Sequence, residues 1–269
     1  MKKGSRNGFQ FLCFLLTICA FLLIGGNILV IVLRGAKSLA QCLRSPNTRF
    51  ALRLSMKTAA ISTLFCFLLA IPTAYTLMRL PNRLSRPLEI ALELTMSLPN
   101  IVLGLSLLIL CSSILGGFLK KIGLPIVFNQ NGIILAQLVV NLPFAVKLTA
   151  TAFRDVDPKL EKVAGLLGAG AAHSFFLVTL PLCKNALIST VLLVWSRALG
   201  EFGATLMLVG VTRMKTETLP AGIYLNVSVN DLTGALACAF LLLVISAAAH
   251  TLASVLSGRK ANRYRYGSN

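Results

Sequence analysis

Six long apolar segments constrain this chain more than any other feature of its sequence. They occupy residues 9–33, 59–78, 94–118, 133–153, 185–209 and 232–257. A helix that spans the hydrocarbon core of a bilayer needs roughly 20 consecutive apolar residues. Only 13% of the residues are charged, whereas soluble domains carry about 25%. The sequence therefore predicts an all-α integral membrane protein with about six transmembrane helices, in which the prolines at positions 72, 99 and 143 kink or begin helices.

The basic residues predict the orientation of the chain in the membrane. Lys and Arg total 26 against 8 acidic residues, and most lie between or beside the apolar segments, as cytoplasmic loops require. Such a pattern does not call for a nucleic-acid partner. Placing both termini in the cytoplasm puts more cations inside than outside, although the first outer loop is itself basic. Part of residues 49–57 is therefore expected to lie flat on the membrane.

The sequence contains no pattern typical of a disulfide framework, a metal site or an ATP-binding loop. The seven cysteines have no CxxC spacing, and the two histidines are far apart, so no disulfide framework, metal site or cofactor is expected. These 269 residues contain no GxxxxGK[ST] phosphate-binding loop, so ATP-driven transport would need a separate ATPase chain. The basic tail at residues 258–269 is expected to be disordered.

Residues 157–181, DPKLEKVAGLLGAGAAHSFFLVTLP, lie between the fourth and fifth segments. Asp157 suits a helix N-cap and Pro158 the first helical position. Residues 160, 163, 164 and 167 form an apolar stripe on a short helix. The helix either lies on lipid or docks into a groove on a cytoplasmic partner, and its periodicity does not separate the two. Ala164 and Gly168 are expected to permit close backbone packing, and Gly170 to turn the chain.

This stretch resembles the coupling loop of ABC importer permeases, E-A-A-x-x-x-G followed after nine residues by I-x-L-P. The matching positions are Ala164, Gly168, Leu180 and Pro181. Lys162 and Val163 replace the family's glutamate and first alanine, and Glu161 stands one residue earlier. The resemblance implies that these seven residues belong to a cytoplasmic coupling helix and loop that bind an ATPase subunit.

The resemblance extends over about residues 50–256. Residues 97–110, 123–144, 197–210 and 216–237 are similar to the molybdate branch of these permeases, and sulfate and tungstate permeases share much of the pattern. It implies the type I importer fold and ATP-driven uptake by alternating access, with an external oxyanion-binding protein, a separate ATPase and a homodimer in the cell membrane. The expected division is an N-terminal helix and outer loop at residues 1–48, a transport domain at 49–257 and the tail.

Charges inside the predicted spans are candidates for the translocation path. Glu201 is expected to pair with Arg197, four residues earlier on the same helix face. The pair either locks helix packing or forms part of a gate or anion path. Gly200 and Gly203 either allow close helix packing or expose backbone to the pore, where Thr205 could donate a hydroxyl.

The Lys147 side chain either extends (snorkels) to the lipid headgroups or attracts the transported anion. Glu89 and Glu93 are expected to balance the arginines at positions 79, 83 and 86. A secondary transporter would need more buried acids than this chain has. A membrane enzyme would need clustered nucleophiles or ligands. A transport subunit without catalytic residues therefore remains the leading hypothesis.

Overall fold

The computed structural model describes residues 3–265, and that part of the chain contains helices and no strand. The helices are α1 (Lys3–Arg44), α2 (Pro46–Arg79), α3 (Asn82–Ser97), α4 (Asn100–Ser112), α5 (Ile114–Lys121), α6 (Gln130–Arg154), α7 (Pro158–Leu166), α8 (Ala171–Ser174), a π-helical turn (Phe175–Thr179), α9 (Leu180–Leu199), α10 (Gly203–Val209), α11 (Leu219–Ser228) and α12 (Leu232–Arg265).

Five apolar helical stretches in the described residues are long enough to cross a membrane. A sixth crossing arises if α3 and α4, which meet at a bend of 107°, count together. The prediction of an all-α membrane protein with about six spans is confirmed. Pro99 precedes α4, whereas Pro72 and Pro143 lie inside α2 and α6.

Helix α2 is continuous through the segment that was expected to lie flat. It begins with Pro46 in its first turn, where the missing amide hydrogen costs nothing, and runs unbroken to Arg79. The prediction of a surface segment at residues 49–57 is therefore wrong. The buried face of α2 is rich in small side chains such as Ala59, Ala70 and Ala74, which allows α6 and α9 to pack closely against it.

Helix α1 lies at the edge of the bundle. Its most apolar window has no buried residue, so its sides are available to lipid. It packs on α12 at Gly35, where an added Cβ would come within 2.6 Å of the carbonyl oxygen of Leu236. A side chain larger than hydrogen would push these two helices apart.

The last helix extends further than the sequence predicts. Helix α12 continues to Arg265, into the basic tail that begins at residue 258. Residues 266–269 lie outside the described part of the chain.

Candidate functional site

The segment between α6 and α9 forms the short helix that the sequence predicts. The Asp157 carboxylate accepts a hydrogen bond from the Lys159 amide at 2.9 Å, and Pro158 occupies the first turn of α7. The N-cap prediction is confirmed. The chain turns at Gly168, whose φ of 88° disfavours any other residue. Gly170 has an ordinary φ of −67°, so the turn assigned to it is misplaced by two residues.

The apolar stripe of α7 faces away from the rest of the chain. Leu160 and Val163 are about half exposed, while Leu166 and Leu167 are 87% and 84% exposed. A Cβ built on Gly168 would meet nothing within 4 Å in this chain, so any close backbone packing at this glycine would involve a partner. A stripe of this kind is an uncovered apolar surface at the end of the bundle.

Glu161 and Lys162 face different surroundings, although the resemblance assigns both to the surface that binds an ATPase. The Glu161 carboxylate is turned toward its own chain, where it accepts hydrogen bonds from Arg79 and Thr179. Lys162 is exposed and borders a cavity of about 410 Å³ between α7 and the ends of the spans. At the end of the loop, Leu180 and Pro181 form the first turn of α9.

The fifth span is broken where the sequence suggests one continuous helix. Helix α9 ends at Leu199 and α10 begins at Gly203. The expected pairing of Arg197 with Glu201 on one helix face is therefore wrong. Among the described residues, Glu201 forms no salt bridge with Arg197, whose guanidinium lies 5.0 Å from the ring centroid of Phe144.

Glu201 instead connects the first turn of α4 to the first turn of α10. It is 5% exposed, and its carboxylate accepts hydrogen bonds from the Asn100 side-chain amide at 2.6 Å and the Ala204 backbone amide at 2.8 Å. An added Cβ on Gly203 would meet the Cβ of Asn100 at 3.3 Å. Asn100 was not a sequence candidate, although its position directly after Pro99 marks it as the first residue of a helix.

The neighbouring candidates differ in their surroundings. Gly200 is exposed, and its added Cβ would meet only the Arg197 carbonyl oxygen, at 3.7 Å. Gly203 lies where α10 packs tightly against α4, which agrees with the hypothesis that this glycine allows close helix packing. Thr205 is buried, and its hydroxyl has no hydrogen-bond partner in the part of the chain that the structure describes.

Lys147 has a protein partner. Its ammonium lies 3.1 Å from the Glu93 carboxylate, and Arg154 pairs with Glu89 at 3.5 Å. Both partners come from α6, and no ion pair joins these two acids to Arg79, Arg83 or Arg86 among the described residues. All four side chains are at least 40% exposed in the single chain. Lys147 is the one of the four that lies inside a predicted apolar segment, where a charge requires protein or water around it.

A polar cluster lies at the opposite end of the bundle from α7, and it was not predicted from the sequence. Arg213 pairs with the buried Glu217 at 2.8 Å and donates to Asn226 at 2.8 Å. These residues border a cavity of about 630 Å³ that Cys42 and Asp231 also line. Burial, and then the nearby Asp231, raise the pKa of the Cys42 thiol. The four-residue spacing of Arg213 and Glu217 was the available signal.

Comparison with known proteins decides the family. Residues 51–262 match the family described as binding-protein-dependent transport system inner membrane component. The chain belongs to this family. The permease is 40% identical to the molybdenum transport system permease protein ModB of Mycobacterium tuberculosis over 205 residues, 76% of this chain and 77% of that protein. It is 29% identical to a probable sulfate transport system permease protein of Chlorokybus atmophyticus over 71% of this chain and 68% of that protein.

A solved structure supports the fold. The permease superimposes on a chain of a bacterial alginate ABC transporter, in complex with its alginate pentasaccharide-bound periplasmic protein, with a TM-score of 0.70. The two are 15% identical, and the match covers 94% of this chain and 93% of that one. The family match makes the permease a multi-pass membrane transport subunit, and the superposition gives it the ABC importer permease fold.

Proposed function

We propose that the permease carries molybdate into the cell as the membrane-spanning part of an ATP-driven importer. The identity to proteins named as molybdenum transport permeases, 40% in the mycobacterial relative, exceeds the 29% identity to the sulfate relative, and this favours molybdate over sulfate. An external binding protein delivers the oxyanion, in keeping with the family description.

The uncovered apolar face of α7 carries the coupling role. Leu166 and Leu167 are the most exposed large apolar side chains of the described chain, and they lie on a helix fastened to the ends of membrane spans. A docked ATPase subunit would remove this surface from water, with a gain of roughly 1.5–3 kcal/mol for each fully buried leucine. A helix lying on lipid is the competing explanation.

A second copy of the permease completes the path. The Lys147–Glu93 and Arg154–Glu89 pairs are too exposed in the single chain to face lipid. A homodimer with a water-filled path between its two copies satisfies both pairs. ATP binding by two ATPase subunits then draws the two α7 helices together and opens the path outward, and hydrolysis returns it inward.

Within this path, Glu201 is proposed as a gate residue that holds α4 against α10 at the break in the fifth span. Arg197, Gly200, Gly203 and Thr205 surround the break, and Lys147 lies nearer the cytoplasmic end. Both termini lie in the cytoplasm, on the side of α7.

Uptake of radioactive molybdate tests the proposed function. Cells that lack the permease are compared with cells in which it is restored, each with and without excess sulfate. Uptake that requires the permease and resists sulfate is the expected result. Uptake abolished by sulfate would reassign the permease to sulfate, and equal uptake without the permease would refute the assignment to molybdate.

A further inference from the structure

Glu161 is the residue through which α7 contacts two different membrane spans. Its carboxylate accepts hydrogen bonds from Arg79, the last residue of α2, and from Thr179, the residue that precedes α9. The two partners are far from Glu161 and from each other along the chain. One side chain thus joins the short helix to the cytoplasmic ends of α2 and α9.

The Arg79 side of this junction continues into the core. The Arg79 guanidinium lies 4.4 Å from the ring centroid of Tyr75, and Tyr75 packs at 4.7 Å against Phe175 of the π-helical turn. Phe175 in turn meets Phe153 at the end of α6, with centroids 5.6 Å apart. These direct ring contacts connect Arg79 to the π-helical turn and to the end of α6, and side chains in contact pass a displacement on to one another.

The remaining attachment of α7 is weak. All nine of its residues are described, and none is buried. A cavity of about 410 Å³ separates part of the helix from the ends of the spans. Because few other contacts hold α7 in place, the ion pair and hydrogen bond of Glu161 have a large share in fixing its position.

The position of the acid explains why it faces inward. A shift by one residue turns a side chain by about 100° around a helix, given 3.6 residues per turn. Glu161 stands one residue before the position that the coupling-loop pattern assigns to the acid, and Lys162 occupies that position instead. In this chain the acid is therefore used within the chain, while Lys162 is presented to the surroundings.

We propose that Glu161 is a positioning residue that fastens α7 to α2 through Arg79 and to α9 through Thr179, so that a displacement of α7 moves both spans together. This inference rests on the proposed coupling of α7 to an ATPase. It assigns Glu161 to the transmission of movement, and leaves docking to the exposed leucines.

Trypsin cleavage after Lys159 and Lys162 measures the attachment without any transport. The purified permease in detergent is compared with Arg79→Gln, which leaves the cleaved sequence unchanged, and with Arg79→Lys, which keeps the charge. We expect Arg79→Gln to be cleaved about fivefold faster, because cleavage follows the population of the detached helix. Arg79→Lys should stay close to the wild-type rate, and Glu89→Gln serves as a matched loss of another ion pair. Equal rates in all four proteins would overturn the proposal.

The coupling ratio tests the consequence for transport. The permease, its ATPase and the binding protein are reconstituted in vesicles, and molybdate uptake is divided by ATP hydrolysed. We expect Glu161→Gln and Arg79→Gln to retain the ATPase but to lower this ratio about fivefold, with no further loss in the double variant because the two residues act as one pair. Loss of ATPase binding in Glu161→Gln, or an unchanged ratio, would refute the positioning role. Absence of molybdate uptake by the wild type would refute the proposed function instead, while the cleavage result would still stand.

Discussion

At the scale of single residues, Glu201 shows how far a buried charge can be interpreted from sequence. An acid among apolar residues must find partners, and this was predictable. Its actual partners are Asn100, distant in sequence, and the amide of Ala204. The break after Leu199 leaves Glu201 outside α9, where it forms no salt bridge with Arg197 among the described residues, and no proline marks that break. The residue was predictable, whereas its contacts were not.

Replacement of Glu201 by glutamine removes the negative charge and keeps the size and shape of the side chain. The glutamine amide can still pair with a rotated Asn100 amide, so the permease should assemble and retain its ATPase. The charge-assisted bonds between α4 and α10 are lost, and bonds of that kind contribute about 1.5–3 kcal/mol, so uptake should fall about tenfold. Asn100→Ala removes the same link and should have a similar effect. Wild-type uptake by a normally assembled Glu201→Gln variant would contradict the gate role.

At the scale of helices, the features that depend on neighbouring residues were predicted correctly, whereas those that depend on contacts between helices were not. Asp157 and Pro158 fixed the start of α7 because capping depends on neighbouring residues alone. Pro99 indicated the start of α4 for the same reason. The interruption at residues 200–202 contains no proline, and it coincides with a side-chain contact from another helix. The left-handed turn at Gly168 could not be distinguished from one at Gly170, since both residues are glycine.

The exposed face of α7 predicts a loss of partner binding when it is trimmed. Leu166→Ala removes most of a side chain that a docked ATPase would bury, so the affinity for the ATPase should fall about tenfold or more. Leu124→Ala changes an exposed leucine between α5 and α6, far from the coupling loop, and should leave the affinity unchanged. Titration of the purified permease with its ATPase measures both. Unaltered binding by Leu166→Ala would favour the lipid-lying helix over the docking helix.

At the scale of the whole molecule, one contact orients every span. Because Glu161 touches Arg79, the end of α2 lies on the same side of the membrane as α7. Six crossings, with α3 and α4 counted as one, then bring the start of α1 and the end of α12 to that side as well. The contact of Gly35 with Leu236 agrees, since it joins the end of α1 to the start of α12 at the opposite side.

Alkaline phosphatase fusions test this orientation, because the enzyme is active only after export from the cytoplasm. A fusion after Lys121, at the end of α5, should be active. Fusions after Lys159 in α7 and after the last residue should be inactive, since the positive-inside bias and the α7 contact together predict that both lie in the cytoplasm. An active fusion after Lys159 would invert the molecule, and it would place α7 where no cytoplasmic ATPase could reach it. The same measurement therefore tests both the orientation of the chain and the proposed coupling of α7 to an ATPase.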